Sequence, residues 1–135
     1  MVIDSSAMIA LLLGEPETAA FISAIAAAST RLASAPSYLE TAIVMVSRSG
    51  GEAQEKLDRL LSELAAEVVP FTHEQAILAV VAYRQYGRGS GHAAGLNFGD
   101  CFTYALAKLR DEPLLFKGND FSRTDLRSVV STGNR

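Results

Sequence analysis

Four carboxylic acids draw attention by where they fall along the chain. Asp4 follows the apolar pair Val2-Ile3, and Glu40 follows the break at Pro36. Asp100 comes three residues after Asn97, and Asp120 closes the polar turn Gly118-Asn119-Asp120. No Lys or Arg adjoins Asp4, Glu40 or Asp100 in the chain. Two carboxylates 5 Å apart repel by roughly 3 kcal/mol at an effective dielectric of 20, so a site that gathers four of them needs a cation. Mg²⁺, with Mn²⁺ as a substitute, suits an all-carboxylate site better than Zn²⁺ does. Such a site activates a water and neutralises a phosphodiester under attack.

Each acid also has an ordinary structural use. Glu40 has the spacing of a capping-box partner to Ser37, and Asp100 sits where a first-turn acid is favoured by the helix dipole. Asp120 fits a solvated turn. Asp4 is harder to dismiss, because an acid ending a buried strand needs a partner whatever its role.

The acids span positions 4 to 120, so only the fold can collect them. Val2-Ile3 reads as a short buried strand, and Ala7 to Leu13 as a helix capped by Ser5 or Ser6 and stopped at Gly14. Pro16 suits the first turn of a second helix reaching about Ala28. Arg31 to Ala35 reads as a strand, and the helix after it carries the stripe Leu39, Ile43, Val46 up to Gly50-Gly51. Leu57, Leu60, Leu61 and Leu64 mark the next helix, and Val68 to Phe71 a strand. Thr72 to Gln75 has capping-box spacing and opens a helix through Ala76, Val80 and Tyr83. Gly87 to Gly95 reads as a flexible loop. Asn97 then caps a long helix carrying Cys101, Phe102, Ala105 and Leu109 inward, Leu114 to Phe116 forms a strand, and Val129-Val130 suits a last edge strand. Short apolar strands alternating with helices predict an α/β fold, with a mostly parallel sheet of four to five strands covered on both faces. Each acid then lies at an element end on one rim of that sheet.

The chain has 135 residues, which suits one domain over 1–135. At 49% hydrophobic and 20% charged residues it is globular in composition, not disordered. Twelve Lys plus Arg against fifteen Asp plus Glu give a net charge of −3, which excludes a polycation holding nucleic acid by bulk charge. Any nucleic acid must be held locally, and Lys117 and Arg123, flanking Asp120, are the expected phosphate contacts. Cys101 is the sole cysteine, so an intrachain disulfide and a cysteine-based zinc site are both excluded. It reads as a core residue, and His73 and His92 as surface residues without metal-ligand spacing. The apolar runs fall short of a membrane span and the first residues lack a signal-peptide pattern, so a soluble cytoplasmic protein is expected. A receiver-like signalling module would need paired acids after its first strand and an acid ending a middle strand; Asp4 stands alone there, and Val68 to Phe71 carries none.

The segments Val2-Ile3-Asp4-Ser5-Ser6-Ala7, Tyr38-Leu39-Glu40, Asn97-Phe98-Gly99-Asp100-Cys101 and Leu114 through Asp120-Phe121 resemble those of the PIN-domain ribonucleases, specifically the VapC toxins of type II toxin–antitoxin systems. Their order and spacing cover nearly the whole chain. The resemblance implies a Mg²⁺-dependent endoribonuclease that is neutralised by a VapB-type antitoxin and forms a homodimer, the stripe Leu57 to Leu64 serving core or interface. It implies Asp4 and Asp100 as the principal metal ligands, Glu40 completing or hydrogen-bonding the metal shell, Asp120 as the fourth acid, and Ser6 as a supporting hydroxyl beside the first acid. Many relatives carry Asp-x-Asp-Phe at the last turn; here Gly118 replaces its first acid. A PIN-fold nuclease acting in RNA processing or on DNA, outside a toxin–antitoxin pair, is the nearest alternative.

Overall fold

Val2–Ile3 form β1, and both side chains are fully buried. A computed structural model describes residues 1–129. The other strands are equally short: β2 is Leu32–Ser34, β3 is Glu67–Val69 and β4 is Leu114–Leu115. All pair in parallel in the order β3-β2-β1-β4, with Val2 opposite both Leu32 and Leu114. The helices are α1 Ser5–Leu13, α2 Thr18–Ala27, α3 Ala35–Ser49, α4 Ala53–Glu63, α5 His73–Tyr86 and α6 Phe98–Arg110.

Successive strand residues feed two different cores, as a pleat of period two requires. Val2, Leu32 and Leu114 pack with Tyr86, Leu96, Tyr104 and Leu106, whereas Ile3, Ala33 and Leu115 pack with Met8, Phe21, Ile25 and Leu57. Both faces are therefore covered, which is why the inner strands are buried throughout and apolar but for Ser34. Only β3, at the edge, exposes Glu67 and Val68. Among the described residues, no helix is long and apolar enough to cross a membrane.

Several boundaries differ from expectation. The first helix begins at Ser5 and is capped by Asp4, which accepts from the Ser6 N–H, instead of by Ser5 or Ser6. Gly14 ends it at φ 63°, in the left-handed region that glycine enters without penalty. α2 starts only at Thr18, beyond Pro16. α3 starts at Ala35 with Pro36 in its first turn, which puts Glu40 one turn further in, and the Ser37–Glu40 capping box does not form. The buried face of α3 is Ser37, Thr41 and Met45, and the stripe Leu39, Ile43, Val46 faces outward. On α5 the buried residues are Gln75, Ala82 and Tyr86, while Val80 and Tyr83 are exposed. Thr72 caps that helix, but the Gln75 amide donates to the Pro70 carbonyl instead of closing the box. Leu57 and Leu61 belong to the core. The segment 87–95 is closed at its base by Arg88 N–H to Leu96 O and Leu96 N–H to Tyr86 O. Beyond β4 Ser128 forms a parallel bridge beside Leu114, and Val129 N–H donates to the Leu114 carbonyl; Val130 lies outside the described residues.

Candidate active site

The strand order reverses direction at β1, which has β2 on one side and β4 on the other. Connections leaving such a pair diverge and open a crevice beyond the carboxyl ends of the strands. Asp4 is the first residue after β1, Glu40 is carried by the helix after β2, and the turn containing Asp120 follows β4. The N-terminal turn of α6, packed over β1 and β2, brings Asp100 to the same rim.

Asp4 is 4% exposed. Its Oδ2 accepts from the Ser6 N–H at 3.0 Å and the Ser6 hydroxyl at 2.6 Å, and its Oδ1 accepts from the Thr103 hydroxyl at 2.6 Å. Ser6 Oγ in turn accepts the Lys117 N–H at 2.9 Å, and Thr103 Oγ1 lies 3.0 Å from Ser37 Oγ. The Glu40 carboxylate accepts from the Ser5 hydroxyl and lies against Gly99. Asp100 and Asn97 form a reciprocal capping box, Asn97 N–H to Asp100 Oδ2 at 3.0 Å and Asp100 N–H to Asn97 Oδ1 at 2.9 Å. Sequence reading placed that acid correctly as a first-turn residue, and the structure adds a second circumstance. Burial pushes the Asp100 carboxyl up to about 7; the Asn97 N–H opposes the shift, and the negative charges of Asp4, Asp120 and Glu40 add to it. All three other acids thus bear on Asp100.

The basic residues divide. The Lys117 ammonium is taken by Glu15 and by Glu17 at 3.3 Å, so the side chain ties the α1–α2 corner and is not free for phosphate. Arg123 is exposed and makes no ion pair or hydrogen bond among the described residues. Gly118 has φ +101°, a conformation that strains any L side chain, so the acid found there in many relatives would not fit this turn unstrained. Cys101 is buried and donates to the Asn97 carbonyl; burial, with the charge of Asp100, pushes its thiol up to about 11. His73 and His92 are exposed, the latter accepting the Ala94 N–H.

The PIN-domain sequence profile matches residues 1–126. Ribonuclease VapC28 of Mycobacterium tuberculosis is 51% identical over 130 residues, 96% of this chain and 98% of that protein. This chain belongs to the PIN-domain family, among its VapC ribonucleases. Solved PIN structures share its fold at low identity. VapC20 of M. tuberculosis, described as a sarcin-ricin loop cleaving toxin, has a TM-score of 0.71 at 19% identity, covering 93% of this chain and 95% of that one. A toxin–antitoxin complex from Klebsiella pneumoniae gives 0.70 at 19% identity, with 92% of each chain covered.

For a PIN domain the implied cofactor is a divalent cation, and the donors here suit a hard one. Every candidate ligand is a carboxylate oxygen, and the charge they concentrate at Asp100 is what a dication offsets. Among the described residues, no three acidic, histidine or cysteine side chains are close enough to enclose an ion by themselves. Mg²⁺ ordinarily takes one or two carboxylates and fills its octahedron with water and phosphate oxygens, so a full protein cage is not required. Thr103 was missed by sequence reading, and Ser37 was read only as a capping residue. Their signal is a polar residue three positions from each site acid on the same helix, 100 to 103 and 37 to 40, within otherwise apolar stretches.

An apolar groove of about 700 Å³ adjoins the acids, lined by Leu39, Ile43, Phe71, Phe98 and Phe102 and reaching Glu40 and Gly99. Phe102 makes edge-to-face contacts with both Phe71 and Phe98, each with ring centres 4.8 Å apart.

Proposed function

We propose that this chain is a Mg²⁺-dependent endoribonuclease toxin, a single PIN domain acting in the cytoplasm and neutralised by a VapB-type antitoxin. The observation that carries the reading is the half-buried Asp100, on which the charges of Asp4, Asp120 and Glu40 converge. The 51% identity to a ribonuclease across nearly the whole chain supports the reaction class.

Asp4 and Asp100 would hold Mg²⁺, or Mn²⁺ in its place. The bound ion supplies a water of lowered pKa and neutralises charge on the phosphate. Ser6 and Thr103 fix the Asp4 carboxylate, and Asn97 fixes Asp100. Glu40 or Asp120, whichever is left free, would accept the proton of the attacking water. Of the two cations flanking Asp120, Arg123 is the one that would meet a phosphate of the strand.

The antitoxin reading is supported by the groove running from Glu40 past Phe98 and Phe102, an apolar seat continuous with the acidic rim. The fold shared with a chain of a toxin–antitoxin complex is consistent with it. The homodimer reading rests on the exposed Ile77, Val80 and Val81 of α5, because the leucine stripe of α4 is spent on the core.

The test is cleavage by the purified protein of RNA and DNA of one sequence, in Mg²⁺ and in EDTA. RNA cut only with the dication, and lost in Asp100→Asn, is the expected result. Cleavage that persists in EDTA, or that prefers DNA, would refute the reading.

A further inference from the structure

Four elements carry the four acids, and each sends a hydrogen-bond donor, directly or through a hydroxyl, to one carboxylate. Asp4 is 4% exposed, Thr103 is fully buried and Ser37 is 3% exposed, so water does not compete for these bonds. A carboxylate only accepts, which fixes the direction of every proton in the network. Thr103 spends its single hydroxyl proton on Asp4 Oδ1, so the 3.0 Å contact with Ser37 has Ser37 as donor. Ser6 spends its hydroxyl proton on Asp4 Oδ2, so its oxygen is free to accept the Lys117 N–H. Two relays result, Ser37 to Thr103 to Asp4 Oδ1, and Lys117 N–H to Ser6 to Asp4 Oδ2.

The relays join the helix of Glu40 (through Ser37), the helix of Asp100 (through Thr103) and the turn before Asp120 (through Lys117) to the acid ending β1. They also count out Asp4's acceptor capacity. Oδ2 takes two donors and Oδ1 takes one, which leaves one of about four lone-pair directions open, on Oδ1.

We propose that Thr103, backed by Ser37, is a positioning residue that fixes the Asp4 carboxylate, whose remaining acceptor capacity would be offered to the divalent ion. The inference rests on the nuclease reading for the identity of the ion, and on the geometry above for everything else. Partners that orient a metal-binding carboxylate typically govern affinity by about 10-fold to 100-fold.

The experiment is Mn²⁺ binding to the whole protein without RNA, followed by calorimetry and by the free Mn²⁺ resonance signal, in wild type, T103V, T103S and S37A. Thermal unfolding in EDTA accompanies each variant. T103V keeps the branched shape and loses the hydroxyl; a fall in affinity of about 10-fold or more is expected, with recovery in T103S to within about 3-fold of wild type. S37A keeps the direct bond to Asp4 and removes only its support, so its loss should be smaller than that of T103V. If T103V does not fold, T103S and S37A decide: S37A weakening Mn²⁺ binding while T103S does not supports the relay. Wild-type affinity in a folded T103V, or in S37A when T103V is unfolded, overturns it. A wild-type protein that neither binds Mn²⁺ nor cleaves RNA would overturn the nuclease reading and the relay together, whereas normal wild-type binding with an unaffected T103V removes the relay alone.

Discussion

The carboxylate of Glu40 lies so close to Gly99 that a Cβ at position 99 would stand 2.5 Å from Oε2. The two residues come from different helices, and the absent side chain of one is the space occupied by the other. Gly99 has no left-handed φ to accommodate, so alanine costs the backbone nothing and is the better helix former. Gly99→Ala is therefore expected to leave the melting temperature unchanged or raised, while RNA cleavage falls at least about 10-fold as Glu40 is pushed away. Paired melts and single-turnover cleavage assays check both halves. An alanine enzyme as active as wild type would show that the Glu40 position does not matter.

Asp100 sets a pH dependence in the metal-free protein. Burial and the neighbouring acids raise its carboxyl from 3.8 to about 7. The folded state then holds a proton that the unfolded chain releases, so stability falls as pH rises from about 4 to about 7. In EDTA the melting temperature should drop between pH 5 and pH 8, and Asp100→Asn should flatten that drop. Adding Mg²⁺ at pH 8 should recover stability in wild type and not in Asp100→Asn.

Tyr104 is 5% exposed, and its hydroxyl donates to Asp125 Oδ1 at 2.6 Å; Lys108 donates to Oδ2 at 2.6 Å. These bonds hold the segment after the Asp120 turn onto α6. Burial pushes the Asp125 carboxyl up, but the hydrogen bonds from Lys108 and Tyr104 and the Lys108 charge outweigh it, and the group ends below its ordinary value. A depressed acid stabilises above its unfolded value and loses that stabilisation as pH falls through the folded one. Tyr104→Phe should cost about 1.5 kcal/mol near neutrality by urea unfolding. The deficit should shrink below about pH 4.

Lys117 and Arg123 flank the same turn but should behave differently. Arg123→Ala is expected to weaken RNA binding and to shallow its salt dependence by about 0.7 in the logarithmic slope, the value for one phosphate contact on a single strand. Lys117→Ala breaks the bridge to Glu15 and Glu17 and should cost about 0.5–1 kcal/mol of stability with RNA affinity near wild type. Fluorescence-anisotropy titrations at several salt concentrations distinguish the two; an unchanged slope in Arg123→Ala would remove that residue from the interface.

What could be read from the chain was local or periodic. Alternation of short apolar runs with helices gave the parallel sheet, and Gly14 and Asn97 marked helix ends where the structure has them. The acids after β1 and at the start of α6 were legible because strand ends and helix starts fix where such residues sit. Periodicity was a poorer guide to burial. Leu39, Ile43 and Val46 lie on one face of α3 as expected, but which face the rest of the fold covers depends on contacts that a single helix does not encode. Distance along the chain hid the remainder. The acids that claim Lys117 are about 100 residues away, and Thr103 meets Asp4 across 99 positions. The Ser37–Glu40 spacing misled for a simpler reason: Pro36 fits inside the first turn, so the helix starts earlier than the apparent box.

The bond between Asp4 and Thr103, and that between Ser6 and Lys117, impose an order in time on the making of this protein. Ser6 is made almost together with Asp4, but Thr103 follows that acid by 99 positions, and Lys117 follows Ser6 by 111. β1 likewise waits for β4 before its second neighbour exists. A growing chain can collapse around its early helices without owning a competent centre. The site therefore stays incomplete during synthesis until Lys117 has been made, whatever has folded before it.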